Sequence, residues 1–304
     1  MAASWERAAM TLDMSTDVLR YSAFTPQRSA DSGAAGGNPA GIVLDAAGLD
    51  DKRMLAIAAE VGYSETAFVT ARDDAAGRFR LRYFSPLLEV PFCGHATVAT
   101  AVALAERNGP GEFVFDTPAG EIPLSTVADP DGTVRATLTS VPTRSRPATP
   151  DETGAALAAL HWAPGDLDPG LPPHVAFGGA EHLVLAASSR ARLADLAYDF
   201  DGLADVMGQY GWTTLQLVWR EADDLFHARD PFPVGGVVED PATGAAAAAF
   251  GGYLRTLGLV REPLTLTVRQ GEDMGRPSEL LVDIDPTDPR VRVTGRACPI
   301  GDPR

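Results

Sequence analysis

Residues 93–109 read CGHATVATAVALAERNG, and residues 243–258 read TGAAAAAFGGYLRTLG. Each has a glycine near its start and then runs through small apolar residues with almost no polar face. A helix that is apolar all round is a buried helix, and small side chains let the surrounding backbone come close. The two stretches therefore predict a central helix in each half of the chain, wrapped by strands. A glycine at a helix start leaves backbone N–H groups unclaimed. Those donors and the helix dipole favour an anion there.

The sequence around these helices reads as short strands. DVLRYSAF, GIVLD, TAFVT, FRLRYF, EFVFDT and EIPLSTV alternate in the first half. VRATLTSV, HLVLAA, TLQLVW, DLFHARDPF, LTLTVRQ, ELLVDI and VRVTG do so in the second. DKRMLAIAAEVG reads as an amphipathic helix ended by Gly62, and DETGAALAALHW and RARLADLA read as two more helices. RSADSGAAGGN reads as a small-residue loop. Each half thus gives strands, a Pro-rich loop, a glycine-started helix and strands again, the pattern of a weak internal duplication. If the halves are duplicates, the two helix N-termini face a shared cleft, where ligand pockets often form.

At 304 residues the chain passes the size, about 250–300 residues, at which single cores stop growing, so two domains are expected. The charged start MAASWERAAMTLDM lacks the apolar core of a secretory signal. Residues 1–14 are read as a frayed extension and the protein as cytoplasmic. The net charge of −16 supplies no basic stripe for nucleic acid and repels anionic membranes. No run approaches the roughly 18 apolar residues of a membrane span.

Lys52 is the only lysine, and it sits in a charged helix start. That disfavours a pyridoxal Schiff base and a Walker loop. No GxGxxG follows a strand, which disfavours a Rossmann site. Two cysteines and five scattered histidines give no HExxH or HxH spacing, so no dedicated metal site is expected. The chemistry is expected to run on side chains and backbone amides, without a cofactor.

Three stretches carry candidate residues. In CGHAT, Gly94 opens a helix and His95 lies in its first turn, as a cap or facing the cleft. In EDPATG, Asp240 either caps the helix or holds a histidine tautomer from across the cleft, while Gly244 and Ala245 offer backbone N–H groups to a carboxylate. In GYSETAFV, Glu65 is either a solvated surface glutamate or a cleft acid suited to proton transfer.

Together, GGNPAGIVLD, YSETAFV, RYFSPLLEVPFCGHATVA, EDPATGAAAAAF and QGEDMGRPSELLV resemble the phenazine-biosynthesis PhzF-like proteins, within the diaminopimelate-epimerase-like fold. The stretches occur in the family's order and span nearly the whole chain. The resemblance implies an α+β fold of two pseudo-symmetric lobes, each a curved, mostly antiparallel sheet or barrel around a central buried helix. It implies an active site between the lobes, a homodimer, no cofactor and a small carboxylate substrate. It places residues 15–118 with about 291–304 in the N-terminal lobe and 119–290 in the C-terminal lobe.

By motif position the family's proton-transferring glutamate is Glu65, with Ser64 beside it. Gly94 and His95 match its substrate-contacting pair, and Asp240 and Gly244 match its aspartate and glycine. Ala245 stands where the family often has serine, keeping an N–H but losing a hydroxyl. Cys93 matches one of the two cysteines of the epimerase relatives, and EDPATG lacks the second. An epimerase or racemase using Cys93, and a non-catalytic binding protein on the same scaffold, are the competing expectations.

Overall fold

The computed structural model describes residues 16–26 and 36–301. The expected N-terminal extension lies outside the described residues, as does most of the RSADSGAAGGN loop.

Both all-apolar stretches are helices in the core. The first central helix, Gly94–Asn108, buries every residue from His95 to Ala105. The second, Gly244–Thr256, buries Ala246–Leu254 continuously. Their small side chains set how closely strands approach. A Cβ at Gly251 would meet Ile284, Val291 and Val282 at 3.1, 3.1 and 3.2 Å. One at Gly252 would overlap the Thr143 hydroxyl. That hydroxyl is fixed by its bonds to Pro289 O and Arg255 Nη2, each 2.8 Å.

The described strands form one continuous hydrogen-bonded sheet that folds round the two helices, mostly antiparallel. Its closing element is the last strand, Val291–Pro299. That strand pairs with Ser278–Ile284, with Val134–Thr139 and, through Ala297–Pro299, with Tyr21–Ala23 near the chain start. One strand thus ties the beginning, middle and end of the chain together. The result is the expected α+β architecture of two lobes around central helices.

The expected seam at 118/119 falls in the tight turn between Glu112–Thr117 and Gly120–Ala128, which pair along their whole length. The second of these pairs on with Val134–Thr139. We propose instead that the lobes part after Thr139, where the chain moves on to Arg144–Pro147 and pairs with His174–Phe177.

The amphipathic helix Asp51–Val61 starts at an Asp50 cap, whose carboxylate accepts from Arg53 N, and stops at Gly62 with φ of 71°. Helix Phe200–Tyr210 was not expected, because Gly202 and Gly208 lower its propensity. Two features outweigh them: the Asp199 cap, which accepts from Gly202 N, and the i,i+4 pair Leu203 and Met207, both fully buried. Among the described residues no helix is long and apolar enough to cross a membrane.

Candidate active site

The two central helices meet at their N-termini. A Cβ at Gly94 would lie 4.0 Å from the Cα of Gly244. Neither helix has a side-chain N-cap: Cys93 and Thr243 occupy the cap positions without making the bond. The first-turn amides of Gly94, His95, Gly244 and Ala245 therefore have no capping side chain, and two positive dipole ends converge. Ala245 contributes only its N–H, as expected from its side chain.

Around this junction the structure gathers residues that are far apart in sequence. Glu65 begins a strand that pairs parallel to Asn38–Val43, with Ala40 opposite Glu65. Its carboxylate is only 16% exposed, and Oε2 lies 3.5 Å from His95 Nε2 and 3.6 Å from Cys93 Sγ. Glu65 is therefore mostly enclosed, and the solvated surface position is not the one observed. Ser64 Oγ lies 3.3 Å from His95 Nε2, and Cys93 Sγ lies 3.3 Å from His95 Nδ1.

Asp240 does not reach His95 directly by any described hydrogen bond. Asn38 stands between them: its Nδ2 donates to Asp240 Oδ1 at 2.8 Å and to Ala242 O at 3.2 Å, and lies 3.2 Å from His95 Nδ1. An amide nitrogen carries hydrogens and no free lone pair. A neutral His95 ring therefore leaves Nδ1 bare and carries its proton on Nε2, facing Ser64 and Glu65. Between Asp240 and His95, the structure thus places Asn38 and no direct hydrogen bond. In the sequence, Asn38 reads as a turn residue. It is instead a buried strand residue, and only tertiary contact shows its part.

The rest of the Asp240 surroundings also escaped the sequence. Thr243 Oγ1 donates to Asp240 Oδ2 at 2.6 Å. Gln270, fully buried, donates to Asp240 O at 2.8 Å and accepts from Thr243 N at 3.2 Å. The strand carrying Asp240 is held by a buried bidentate pair, Arg229 to Glu239, at 3.0 and 2.6 Å. Burial pushes the Asp240 carboxyl up to about 6, with the nearby Glu65 charge adding to the rise; a protonated His95, Thr243 and Asn38 pull the other way. Burial also pushes the Cys93 thiol well above its ordinary value, and the Glu65 charge reinforces this. Cys93 is thus held as a neutral thiol.

Glu65, Cys93 and His95 present oxygen, sulfur and nitrogen atoms all within 4.8 Å of one another. Ordinary zinc–ligand distances give a tetrahedral face with edges of about 3.3–3.6 Å. The two edges at His95 Nε2 are 3.5 Å to Glu65 Oε2 and 3.7 Å to Cys93 Sγ, and the edge between Cys93 Sγ and Glu65 Oε2 is 3.6 Å. The distances fit a metal; the protonation does not. A metal on Nε2 needs a proton on Nδ1 and an acceptor facing it, whereas Asn38 turns its amide nitrogen there. The trio is a hydrogen-bonding cluster.

Two lobes, each presenting a buried-helix tip to a shared group of acid, thiol and imidazole, define an isomerase of the diaminopimelate-epimerase-like architecture. The family described as phenazine biosynthesis-like protein matches residues 21–302, and the chain belongs to that family, the PhzF-like proteins. It is 34% identical to an uncharacterized isomerase of Mesorhizobium japonicum, covering 93% of this chain and 96% of the relative. It is 28% identical to the trans-2,3-dihydro-3-hydroxyanthranilate isomerase of Pseudomonas aeruginosa, covering 84% and 87%. A PhzF-family protein of Bacillus anthracis superposes with a TM-score of 0.81 at 25% identity, covering 93% and 96%.

Proposed function

We propose that the protein is a cofactor-independent isomerase that moves a proton on a small carboxylic acid, with Glu65 as general acid and base. The observation that carries this is the placement of the Glu65 carboxylate, mostly enclosed and 3.5 Å from His95 Nε2, beside two uncapped helix N-termini. The substrate carboxylate rests on the amides of Gly94–His95 and Gly244–Ala245. Glu65 takes a proton from a carbon next to an unsaturated system. The charge that develops is held by the same fixed donors, and Glu65 returns the proton at another carbon. His95, with Nε2–H toward Glu65 and Ser64, and Asp240, behind Asn38, orient the ring or an amino group of the substrate.

Cys93 contacts Glu65 and is the alternative proton carrier. Its neutral thiol argues against a thiolate base and leaves Glu65 as the group placed to act. The expected homodimer is part of the same proposal, and light scattering of the purified protein checks it.

The test is solvent exchange. Trans-2,3-dihydro-3-hydroxyanthranilate, named by the Pseudomonas aeruginosa relative, serves as the first probe, incubated in D2O and followed by NMR. Wild-type protein incorporates deuterium at carbon. Glu65→Gln loses at least about 100-fold of that rate, the lower end of what acid–base catalysis contributes, while its circular dichroism is unchanged. Exchange in Glu65→Gln at the wild-type rate removes Glu65 from the mechanism. Binding without exchange in the wild type identifies a carrier instead of an enzyme for this ligand.

A further inference from the structure

Two fully buried hydroxyls, on Tyr83 and Thr97, lie behind the first helix tip and take no part in the mechanism above. Tyr83 belongs to the strand Arg78–Phe84 and stands opposite Ala67, two residues on from Glu65 in the neighbouring strand. Its hydroxyl lies 2.6 Å from Thr97 Oγ1. Thr97 Oγ1 donates to the Cys93 carbonyl at 2.7 Å, and the Thr97 backbone N–H donates to the same carbonyl at 3.0 Å.

We propose that Thr97 and Tyr83 are positioning residues: a two-hydroxyl relay that holds the Cys93 carbonyl, and so aims and strengthens the Gly94 N–H as a donor to the substrate carboxylate. This rests on the reading that Gly94 is part of the carboxylate seat.

A hydrogen count gives the relay its direction. A carbonyl only accepts, and a threonine hydroxyl has one hydrogen. That hydrogen goes to Cys93 O, so Tyr83 donates to Thr97. The reverse order leaves two oxygens 2.7 Å apart with no hydrogen between them and a buried phenol donor unsatisfied.

The Cys93 C=O and the Gly94 N–H belong to one planar trans peptide and point in opposite directions. Two donors that hold the carbonyl along the helix therefore turn the N–H out of its end, where the two helix tips meet. Linked hydrogen bonds polarise one another, so a carbonyl that accepts twice makes its own N–H a stronger donor. The second helix lacks the device. Ala247 N donates to Thr243 O at 3.0 Å, and alanine has no hydroxyl to add a second bond. The two tips are thus unequal, and the stronger donor is the one whose Cys93 side chain touches Glu65. Thr100 supplies a comparison within the same helix. Its Oγ1 donates to Ala96 O at 2.7 Å, but the N–H of that peptide, from Thr97, is bonded inside the helix.

Cys93–Gly94 is the only Cys–Gly step in the chain. Cysteine labelled with carbon-13 at its carbonyl and glycine labelled with nitrogen-15 therefore give one carbonyl–amide NMR correlation, which belongs to this peptide. Benzoate, a simple carboxylate probe, is titrated into the full chain, and its Kd is read from the Gly94 amide shift. Thr97→Val weakens binding about two- to fourfold, whereas Thr97→Ser and Thr100→Val bind as wild type does. Tyr83→Phe weakens binding by itself and adds nothing once residue 97 is valine, because Tyr83 acts only through Thr97. The double variant Tyr83→Phe/Thr97→Val removes both polar partners at nearly constant shape, a change that can be almost neutral for stability. It carries the test if Thr97→Val alone does not fold. Wild-type affinity in the double variant overturns the proposal. So does an equal loss in Thr100→Val, or a serine variant as weak as the valine one. A Gly94 signal that ignores benzoate in the wild type overturns the carboxylate seat and the proposal with it, a result distinct from an intact seat that is indifferent to Thr97.

Discussion

Replacing Asp240 with asparagine makes the protein gain stability relative to wild type as pH rises from 4 to 8. The Asp240 carboxyl titrates near 6 in the folded protein, against an ordinary value of 3.8, chiefly because it is buried. A raised folded value means that the folded state holds its proton more tightly than the unfolded chain does. The stabilisation is therefore complete below about 3.8 and is lost as pH rises through about 6. A tenfold difference in proton affinity between the folded and unfolded states is worth about 1.4 kcal/mol, so the wild type loses about 2–3 kcal/mol between pH 4 and pH 8 through this one group.

Asparagine does not titrate, so the variant escapes that loss. Its carbonyl still accepts from Asn38, and its amide must refit against Thr243 at a cost that is the same at every pH. Other acids titrate in both proteins and largely cancel in the difference. Urea denaturation followed by tryptophan fluorescence, at pH 4, 5, 6, 7 and 8, gives the quantity directly: the stability difference between variant and wild type should climb by about 2–3 kcal/mol, mostly between pH 4 and 6. A difference that stays flat, or that falls with pH, refutes the claim that burial holds Asp240 back from ionising.

Other expectations are simpler. Cys93→Ala keeps more than about a tenth of wild-type deuterium exchange, since a neutral thiol is a poor base; a loss as large as that in Glu65→Gln makes Cys93 the proton carrier. Asn38→Leu folds but slows exchange at least about tenfold, because nothing then fixes the His95 tautomer; an unchanged rate separates Asn38 from the chemistry. Gly252→Ala lowers unfolding stability by about 1–3 kcal/mol, since the new methyl collides with a Thr143 hydroxyl pinned on two sides. A stabilised variant, reflecting only the better helix propensity of alanine, contradicts the close packing described above.

Much of the fold was legible in local pattern. Gly94–Asn108 and Gly244–Thr256 lack a polar face, so they had to be interior helices, and alternation marked most of the strands. Short pieces were not legible: Glu89–Val90 and Val237–Asp240 are too brief to show a period, and Phe200–Tyr210 hides its helix behind two glycines. Glu65, Ser64, Cys93, His95, Gly94, Asp240, Gly244 and Ala245 could all be named from motif position. Asn38, Thr243 and Gln270 could not be given parts, because each matters only through the groups it touches.

What the sequence determined by itself, then, is which segments must be buried and which polar residues sit at their tips, since hydrophobic periodicity and helix-start chemistry act over a few residues. The tertiary structure alone decided that these tips meet. Asn38 and Asp240 are 202 positions apart yet share a hydrogen bond. They do so because the strand Val291–Pro299 pairs at once with strands from the start, middle and end of the chain. Such long-range pairing is set by register and closure of the whole sheet, and no local stretch of residues encodes it.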